Sequence, residues 1–99
     1  MERVNLGRKA LKVKASAVIS IVLPSHVEST LIYESIKPET ESAPTSRSKV
    51  EITKEGKKIT FLFEASDTTA LRAAVNSYLR WVMLIVHTLN KLKELTKKE

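Results

Sequence analysis

The sequence predicts an α+β fold in the order strand, helix, strand, strand, helix, with a three-stranded antiparallel sheet that carries both helices on one face. Three segments alternate apolar and polar residues, as half-buried strands do. Two others space their apolar residues by three and four positions, as amphipathic helices do. With 99 residues, the chain has room for a single domain with a core of moderate size.

The first predicted strand begins near Lys12 and stops at Pro24. Its alternation directs one set of residues to the buried face: Val13, Ala15, Ala17, Ile19, Ile21 and Leu23. The basic residues before this apolar segment imitate a secretory signal peptide, but the alternation and the absence of a small-x-small cleavage pattern argue against that interpretation. We expect a flexible basic arm at 1–11, one domain at 12–95 and a basic tail at 96–99.

The first helix is predicted to begin at Ser25, because Ser25 and Glu28 have the spacing of a capping box. The apolar residues that follow at helical spacing are Val27, Leu31, Ile32 and Ile36. Pro38 is expected to end the helix, since proline removes a helical hydrogen bond. Residues 39–46, rich in Ser, Thr and Glu, are predicted to form a connector.

A β-hairpin is predicted next. Its first strand starts at Arg47, and its turn occupies residues 54–57. The following strand directs an alternating set of residues to the core: Ile59, Phe61, Phe63 and Ala65. We expect this strand at the centre of the sheet, because a right-handed crossover through the first helix leaves a slot that the hairpin fills.

The last helix is predicted to start at Ser66 or Asp67, whose side chains can accept hydrogen bonds from the first turn. One apolar stripe with steps of four and three should lie on the sheet: Leu71, Val75, Tyr78, Val82, Ile85, Leu89 and Leu92. Apolar residues also occupy both flanks of this stripe, and one small sheet cannot cover both flanks. The apolar residues that the sheet cannot cover indicate a surface that binds a partner after the monomer has folded.

The predicted partner interfaces lie on two parts of the fold. They are Val18, Val22 and Leu62 on the open face of the sheet, Leu79, Met83 and Val86 on one helix flank, and Trp81, with Leu84, on the other. A second copy of the chain is the expected partner of the open face, where a solitary domain would be polar. The alternative is that the first helix covers one flank while long Lys and Arg side chains screen the other.

Few residues suggest catalysis. The chain has no Cys, which excludes thiolate nucleophiles and Cys-based zinc sites and suits a reducing cytoplasm. Its only glycines are Gly7 and Gly56, so a Gly-rich phosphate loop is excluded. His26 and His87 have no third ligand at metal spacing. We therefore expect no enzyme activity, no cofactor and no metal.

The net charge of +6 favours acidic partners such as RNA. Arg47, Lys49 and Lys97 are the candidate RNA-contact residues, but aromatic residues are few and core-directed, so a stacking platform for bases is missing. The apolar run at 81–86 is too short to cross a bilayer. We expect a cytoplasmic protein without membrane contact.

Three short motifs resemble those of a known family. They are Ser35-Ile36-Lys37-Pro38-Glu39, Ser46-Arg47-Ser48 and Ala65-x-Asp67-x-x-x-Leu71-Arg72-Ala73-Ala74-x-Asn76-Ser77-Tyr78-Leu79. Over residues 12–92 the chain resembles the small dimerising subunit of the KEOPS complex, the family of the polarised-growth chromatin-associated controller, in its archaeal form. The family motif residues are Lys37, Pro38, Arg47, Asp67, Leu71, Arg72, Asn76 and Ser77.

This resemblance implies a KH-like fold without the Gly-x-x-Gly loop, a homodimer, and helices that pack on the catalytic threonylcarbamoyl-transferase subunit of the complex. It also implies support of threonylcarbamoyladenosine modification in tRNA, with ATP and metal held by other subunits. Arg72 and Asn76 would then fix the helix start or its partner contacts. A free-standing KH-like RNA-binding module is the alternative, which the missing Gly-x-x-Gly loop disfavours.

Overall fold

The computed structural model describes residues 11–42 and 47–97. Its elements are β1 (Ala15–Val22), α1 (His26–Ser42), β2 (Ser48–Glu55), β3 (Lys58–Ala65) and α2 (Thr68–Lys97). The predicted α+β order is therefore confirmed. The expected arm, apart from its last residue, lies outside the described residues, as does Ser46 of the second motif. α2 extends two residues into the segment expected to be a tail.

The sheet has the order β1-β3-β2, and β3 runs antiparallel to both neighbours. The central position predicted for the third strand is confirmed. Two residues join β2 to β3, and the first of them, Gly56, has a φ of 63°. Tight hairpin turns need a positive φ at this position, which glycine adopts without a steric penalty. The hairpin register therefore depends on Gly56.

Alternation along the strands places the core on one face of the sheet. The covered apolar side chains are Ile59, Phe61 and Phe63 on β3, Val50 and Ile52 on β2, Ile32 and Ile36 on α1, and Val82 on α2. α1 lies mainly against β2, and α2 lies mainly against β3. Both helices therefore share the covered face, as predicted, and leave the opposite face open.

α1 is longer than predicted. Ser25 caps it as expected, since the Ser25 Oγ accepts a hydrogen bond of 3.2 Å from the backbone N–H of Glu28. Pro38 does not end the helix, which continues to Ser42. A proline leaves the carbonyl four residues earlier without its helical partner, here that of Glu34. Because Pro38 and Glu34 are both exposed, water can bond to that carbonyl, and the helix tolerates the proline.

α2 starts at the predicted cap, because Asp67 Oδ1 accepts a hydrogen bond of 2.7 Å from the backbone N–H of Ala70. Its 30 residues span about 45 Å, whereas an eight-residue strand spans about 26 Å, so α2 extends past the sheet. Ala70 and Val82, its buried apolar residues, lie in the first half, and residues 91–96 are all exposed. Leu92 was expected on the sheet but is 54% exposed and lines a groove between α1 and α2 instead.

Candidate partner-binding surfaces

Exposed apolar side chains line the boundary between α1 and α2. We call this surface the helix seam, and its residues are Val27, Leu31, Trp81, Leu84, Leu92 and Leu95. Their exposed fractions run from 38% at Trp81 to 68% at Val27. Single exposed apolar residues are ordinary, but six neighbouring ones form a patch of the kind that binds partners.

The helix seam contains two hollows that follow one another along α1 and α2. The larger, which we call the large groove, measures about 770 Å³ and is lined chiefly by Val27, Leu31, Leu89, Leu92 and Leu95. The smaller measures about 280 Å³ and is lined by Ser35, Ile36, Glu39, Trp81, Leu84 and Ile85. The large groove joins the start of α1 to the end of α2, and the smaller hollow joins the end of α1 to the middle of α2.

Helical spacing explains why α2 contributes to the core and to the helix seam at once. The core line runs through Val75, Val82 and Val86. The seam line runs through Trp81, Leu84, Thr88, Leu92 and Leu95, at steps of three and four. At 100° per residue, this second line is rotated by roughly a third of a turn from Val82. One helix therefore presents one apolar line to the sheet and another beside α1.

An ion pair crosses the large groove. Lys93 Nζ lies 2.8 Å from Glu28 Oε2, which links the end of α2 to the start of α1. The Glu28 side chain is 8% exposed, whereas that of Lys93 is 55% exposed. Glu28 therefore does not complete the predicted capping box by turning back to Ser25. Its carboxylate is a nearly buried charge inside a largely apolar groove.

The open face of the sheet carries the second predicted interface. Val18 and Val22 are 67% and 71% exposed, and Leu62, which pairs with Val18 across the sheet, is partly exposed. Between them, the hydroxyls of Ser20 and Thr60 are joined by a hydrogen bond of 3.0 Å. The structure thus places the three predicted residues on one mixed face, where Val18 and Leu62 are adjacent and the Ser20–Thr60 pair separates them from Val22.

The two edges of the sheet differ in charge. β1 contains neither charged residues nor proline, whereas β2 carries Lys49, Glu51, Lys54 and Glu55. Charged side chains hinder an edge strand from pairing with another chain, and an uncharged edge lacks that protection. The β1 edge is therefore the one suited to a further strand.

The remaining predicted interface residues do not form one flank. Met83 is 69% exposed and lies with Leu79, Arg80 and His87 around a shallow hollow of about 740 Å³ on the outer side of α2. Val86 instead packs against the core and is partly buried. Met83 and Leu79 therefore lie on a second surface, which meets the helix seam at Leu84, because Leu84 lines both this hollow and the smaller hollow of the seam. Trp81 belongs to the seam.

Arg47 and Asp67, two motif residues, form an ion pair that joins the start of β2 to the start of α2. Arg47 Nη2 lies 3.1 Å from each carboxylate oxygen of Asp67, and the Arg47 carbonyl accepts a hydrogen bond of 2.9 Å from the backbone N–H of Ser66. The hydrogen bond from the Ala70 N–H lowers the pKa of Asp67, and the Arg47 guanidinium lowers it further. This part of the motif stabilises the start of α2.

The other motif residues have mixed environments. Lys37 Nζ lies 3.0 Å from Glu41 Oε2 and 5.6 Å from the centre of the Tyr33 ring. The interaction with Glu41 raises the pKa of Lys37 most, and that with Tyr33 raises it further. Leu71 packs against the core. The exposed motif residues are Pro38, Arg72, Asn76 and Ser77. The motif therefore combines structural residues with a short exposed surface near the start of α2.

The candidate RNA-contact residues do not form one surface. Arg47 is paired with Asp67, and Lys49 lies 3.2 Å from Glu51. Arg47 stands beside the start of α2 and Lys97 ends it, so about 45 Å of helix separates them. The side chain of Lys97 lies outside the described part of the chain.

Side chains that could bind a metal ion or take part in catalysis are few. Within residues 11–42 and 47–97, no three His, Asp or Glu side chains lie close enough to hold a metal ion. His26 lies beside the hairpin turn at Gly56, and His87 lies on the outer side of α2. In the same two ranges, no helix has the length and apolar character needed to cross a membrane.

Sequence reasoning misses four residues of the helix seam: Val27, Leu31, Leu92 and Leu95. The helical pattern groups Val27 and Leu31 with the core of α1, and it groups Leu92 with the stripe on the sheet. Length supplies the missing signal. A 30-residue helix is longer than an eight-residue strand, so the sheet cannot cover the apolar residues in the last turns of α2.

Comparisons with known proteins agree with this fold. A family model described as "Transcription factor Pcc1" matches residues 16–90. The chain is 40% identical over 72 residues to the KEOPS complex subunit Pcc1 of Pyrococcus abyssi (strain GE5 / Orsay), covering 73% of this chain and 88% of that protein. It also resembles a chain in the crystal structure of the binary complex Gon7-Pcc1, with a TM-score of 0.72, 18% identity, and coverage of 82% of this chain and 99% of that one. At that identity the structural likeness shows the fold alone.

Proposed function

Because the chain belongs to the Pcc1 family, we propose that it is a non-catalytic subunit of an archaeal-type KEOPS complex. In this role it forms a homodimer that bridges two catalytic threonylcarbamoyl-transferase subunits. It thereby supports threonylcarbamoyladenosine modification of tRNA in the cytoplasm, with no cofactor of its own. The observation that carries the proposal is the helix seam, an apolar surface that the core of the monomer does not use.

The helix seam suits an amphipathic helix of the catalytic subunit. Its two hollows extend from Val27 to Glu39 along α1, a length of about 18 Å, or roughly three turns of a partner helix. Covering an exposed leucine contributes on the order of 1.5–3 kcal/mol. Leu84, Leu92 and Leu95, each more than half exposed, are therefore the candidate anchors for such a helix.

A second copy of the chain suits the open face of the sheet and the β1 edge. Val18, Val22 and Leu62 lie on that face, and two of them belong to the uncharged edge strand. The β1 edge can pair with a strand of the second copy while its neighbouring side chains lose contact with water. This arrangement leaves both helix seams of the dimer available for two catalytic subunits.

The second candidate function is a free-standing KH-like RNA-binding module, which the net charge of +6 favours. Such modules need exposed groups that contact bases or clamp the RNA backbone. Here Phe61 and Phe63 are fully buried, and the sequence contains no Gly-x-x-Gly loop. We therefore assign tRNA contact an auxiliary role within the assembled complex, with Arg47, Lys49 and Lys97 as its candidate residues.

A calorimetric titration of the chain into the purified catalytic subunit tests the proposal. We expect one chain per catalytic subunit, in a particle that contains two of each. Absence of binding would overturn the assembly role and favour the RNA-binding module. In that case, tRNA affinity that depends on Arg47, Lys49 and Lys97 would identify the module.

Two substitutions test the helix seam within this titration. Leu95→Glu places a charge on the seam, and we expect it to weaken binding by about a hundredfold, since a charge in a desolvated contact has no compensating partner. Asn90→Glu is the matched control, because residue 90 is exposed and lies on the other side of α2. Equal affinity of the two variants would exclude the seam as the docking surface.

The dimer has its own test. Light scattering at micromolar concentration should give twice the monomer mass of 11.1 kDa. Val18→Glu should shift the mass toward the monomer, because it places a carboxylate on the open face, whereas Asn90→Glu should leave the dimer intact. A monomeric wild-type chain, or a Val18→Glu variant that dimerises normally, would contradict the proposed surface.

A further inference from the structure

The inward-facing line of α2 changes character where the helix leaves the sheet. Val82, Val86 and Leu89 follow this line, and the next residue on it is Lys93. The first three are partly or fully buried, and Val82 and Val86 belong to the packed core. Lys93 therefore occupies a position that would be apolar if the sheet continued beneath it.

Glu28, the partner of Lys93, lies in a well-anchored turn at the start of α1. The backbone N–H of Glu28 is bonded to the Ser25 cap. The next residue, Ser29, is fully buried, and its hydroxyl lies 3.0 Å from the His26 carbonyl and 3.1 Å from the carbonyl of Gly56 in the hairpin turn. The first turn of α1 is thus anchored both to its own cap and to the hairpin turn, which fixes the backbone from which the Glu28 side chain extends.

We propose that Glu28 and Lys93 are a positioning pair that orders the last turns of α2 and thereby shapes the large groove before any partner binds. Residues 91–96 are all exposed, so little apolar burial holds them against α1. The ion pair of 2.8 Å supplies a contact between the two helices in this region. The link from this pair to partner affinity rests on the proposed function, whereas its effect on α2 does not.

The unequal exposure of the two partners makes the pair asymmetric. Replacing Lys93 leaves the Glu28 carboxylate nearly buried without its counter-charge, which is costly. Replacing Glu28 leaves Lys93, which is half exposed and can be solvated by water. Lys93→Met should therefore disturb the structure more than Glu28→Gln, and the double variant should be less disturbed than Lys93→Met alone.

Hydrogen exchange of the backbone amides at residues 89–96 in the full chain measures the effect directly. We expect Lys93→Met to speed their exchange by at least about fivefold, Glu28→Gln to speed it less, and the double variant to recover part of the protection. Lys91→Met, which removes an exposed lysine from the same turn, is the control and should exchange like the wild type. Equal exchange in Lys93→Met and Lys91→Met would overturn the proposal.

Titration of the same variants into the catalytic subunit separates the two proposals. Faster exchange with an affinity weakened in the same order supports the positioning pair and the groove together. Faster exchange with unchanged affinity supports the ordering of α2 but overturns the large groove as the docking site. Unchanged exchange overturns the positioning pair, whatever the affinity. Circular dichroism on each variant checks that the rest of the fold is retained.

Discussion

The two ends of α2 have a similar spacing of apolar residues but different environments. Between Leu71 and Val86 the helix packs against the core, and Val82 in this part is 5% exposed. Beyond Leu89 the helix has passed the sheet, and Leu92 and Leu95 are 54% and 63% exposed. Both ends repeat leucine or valine at steps of three and four. The comparison shows that an apolar helical pattern predicts a covered surface without saying whether the chain itself or a partner covers it.

The chemistry of the two ends follows this division. At the first end, Asp67 caps the helix and is paired with Arg47, the residue that precedes β2. At the other end, Lys93 reaches across the large groove to Glu28. Each end of α2 is therefore joined to another element by an ion pair, but only the first end also has the apolar core beneath it.

The largest expected loss of stability comes from removing a core side chain that packs beneath the first end of α2. Phe61 is fully buried, and its ring centre lies 6.0 Å from that of Tyr78 on α2. Phe61→Ala should lower the free energy of unfolding by about 3–5 kcal/mol, because it leaves a cavity under the helix. Urea denaturation measures this loss. A loss below about 1 kcal/mol would mean that the core collapses around the missing ring.

A matched pair of substitutions compares the two ends directly. Val82→Ala should cost about 2 kcal/mol, because it removes two methyl groups from a buried site. Leu92→Ala, although it removes more atoms, should change stability by less than about 0.5 kcal/mol in the monomer, since Leu92 is more than half exposed. Equal costs in urea denaturation would show that the end of α2 is part of the core after all.

The smallest expected effect is a change in how the melting temperature depends on pH. The folded-state pKa of Asp67 is lowered, so its carboxylate stabilises the fold above the unfolded-state pKa, and this contribution disappears as the pH falls through the folded-state value. Asp67→Asn keeps a capping side chain but removes the charge. The melting temperature of the wild type should therefore exceed that of Asp67→Asn at neutral pH, and the difference should vanish on acidification.

A matched control for the acid experiment lies at the other end of the helix. Glu94 is exposed on α2. Glu94→Gln should leave the pH profile of the melting temperature close to that of the wild type. A difference between wild type and Asp67→Asn that stays constant with pH would show that the charge of Asp67 does not stabilise the start of α2.

Much of the fold can be predicted because local signals carry it. Alternation in three segments predicts the strands, the turn before β3 contains Gly56 where a positive φ is needed, and Asp67 caps α2 as expected. The central place of β3 follows from the handedness of the crossover. Pro38 shows the limit of such signals, since its expected effect on α1 disappears when the proline faces solvent.

The candidate sites could be predicted only in part. Val18 and Leu62 are found together because strand alternation and pairing place them on one face. The helix seam requires residues that lie far apart in the chain, such as Leu31 and Leu92, and their proximity depends on how α1 and α2 pack on the sheet. Val86 illustrates the same limit, because helical spacing alone assigns it to a flank although it packs against the core.

The sequence by itself determined the elements of this protein, their order, their caps and the excess of apolar surface on α2, because each of these depends on residues within a few positions of one another. Tertiary structure alone decided which apolar residues are core and which form the helix seam. It also decided that Glu28 meets Lys93 rather than the backbone of Ser25. These outcomes depend on the length of α2 relative to the strands and on the placement of α1 beside it, and neither is encoded in the spacing of neighbouring residues.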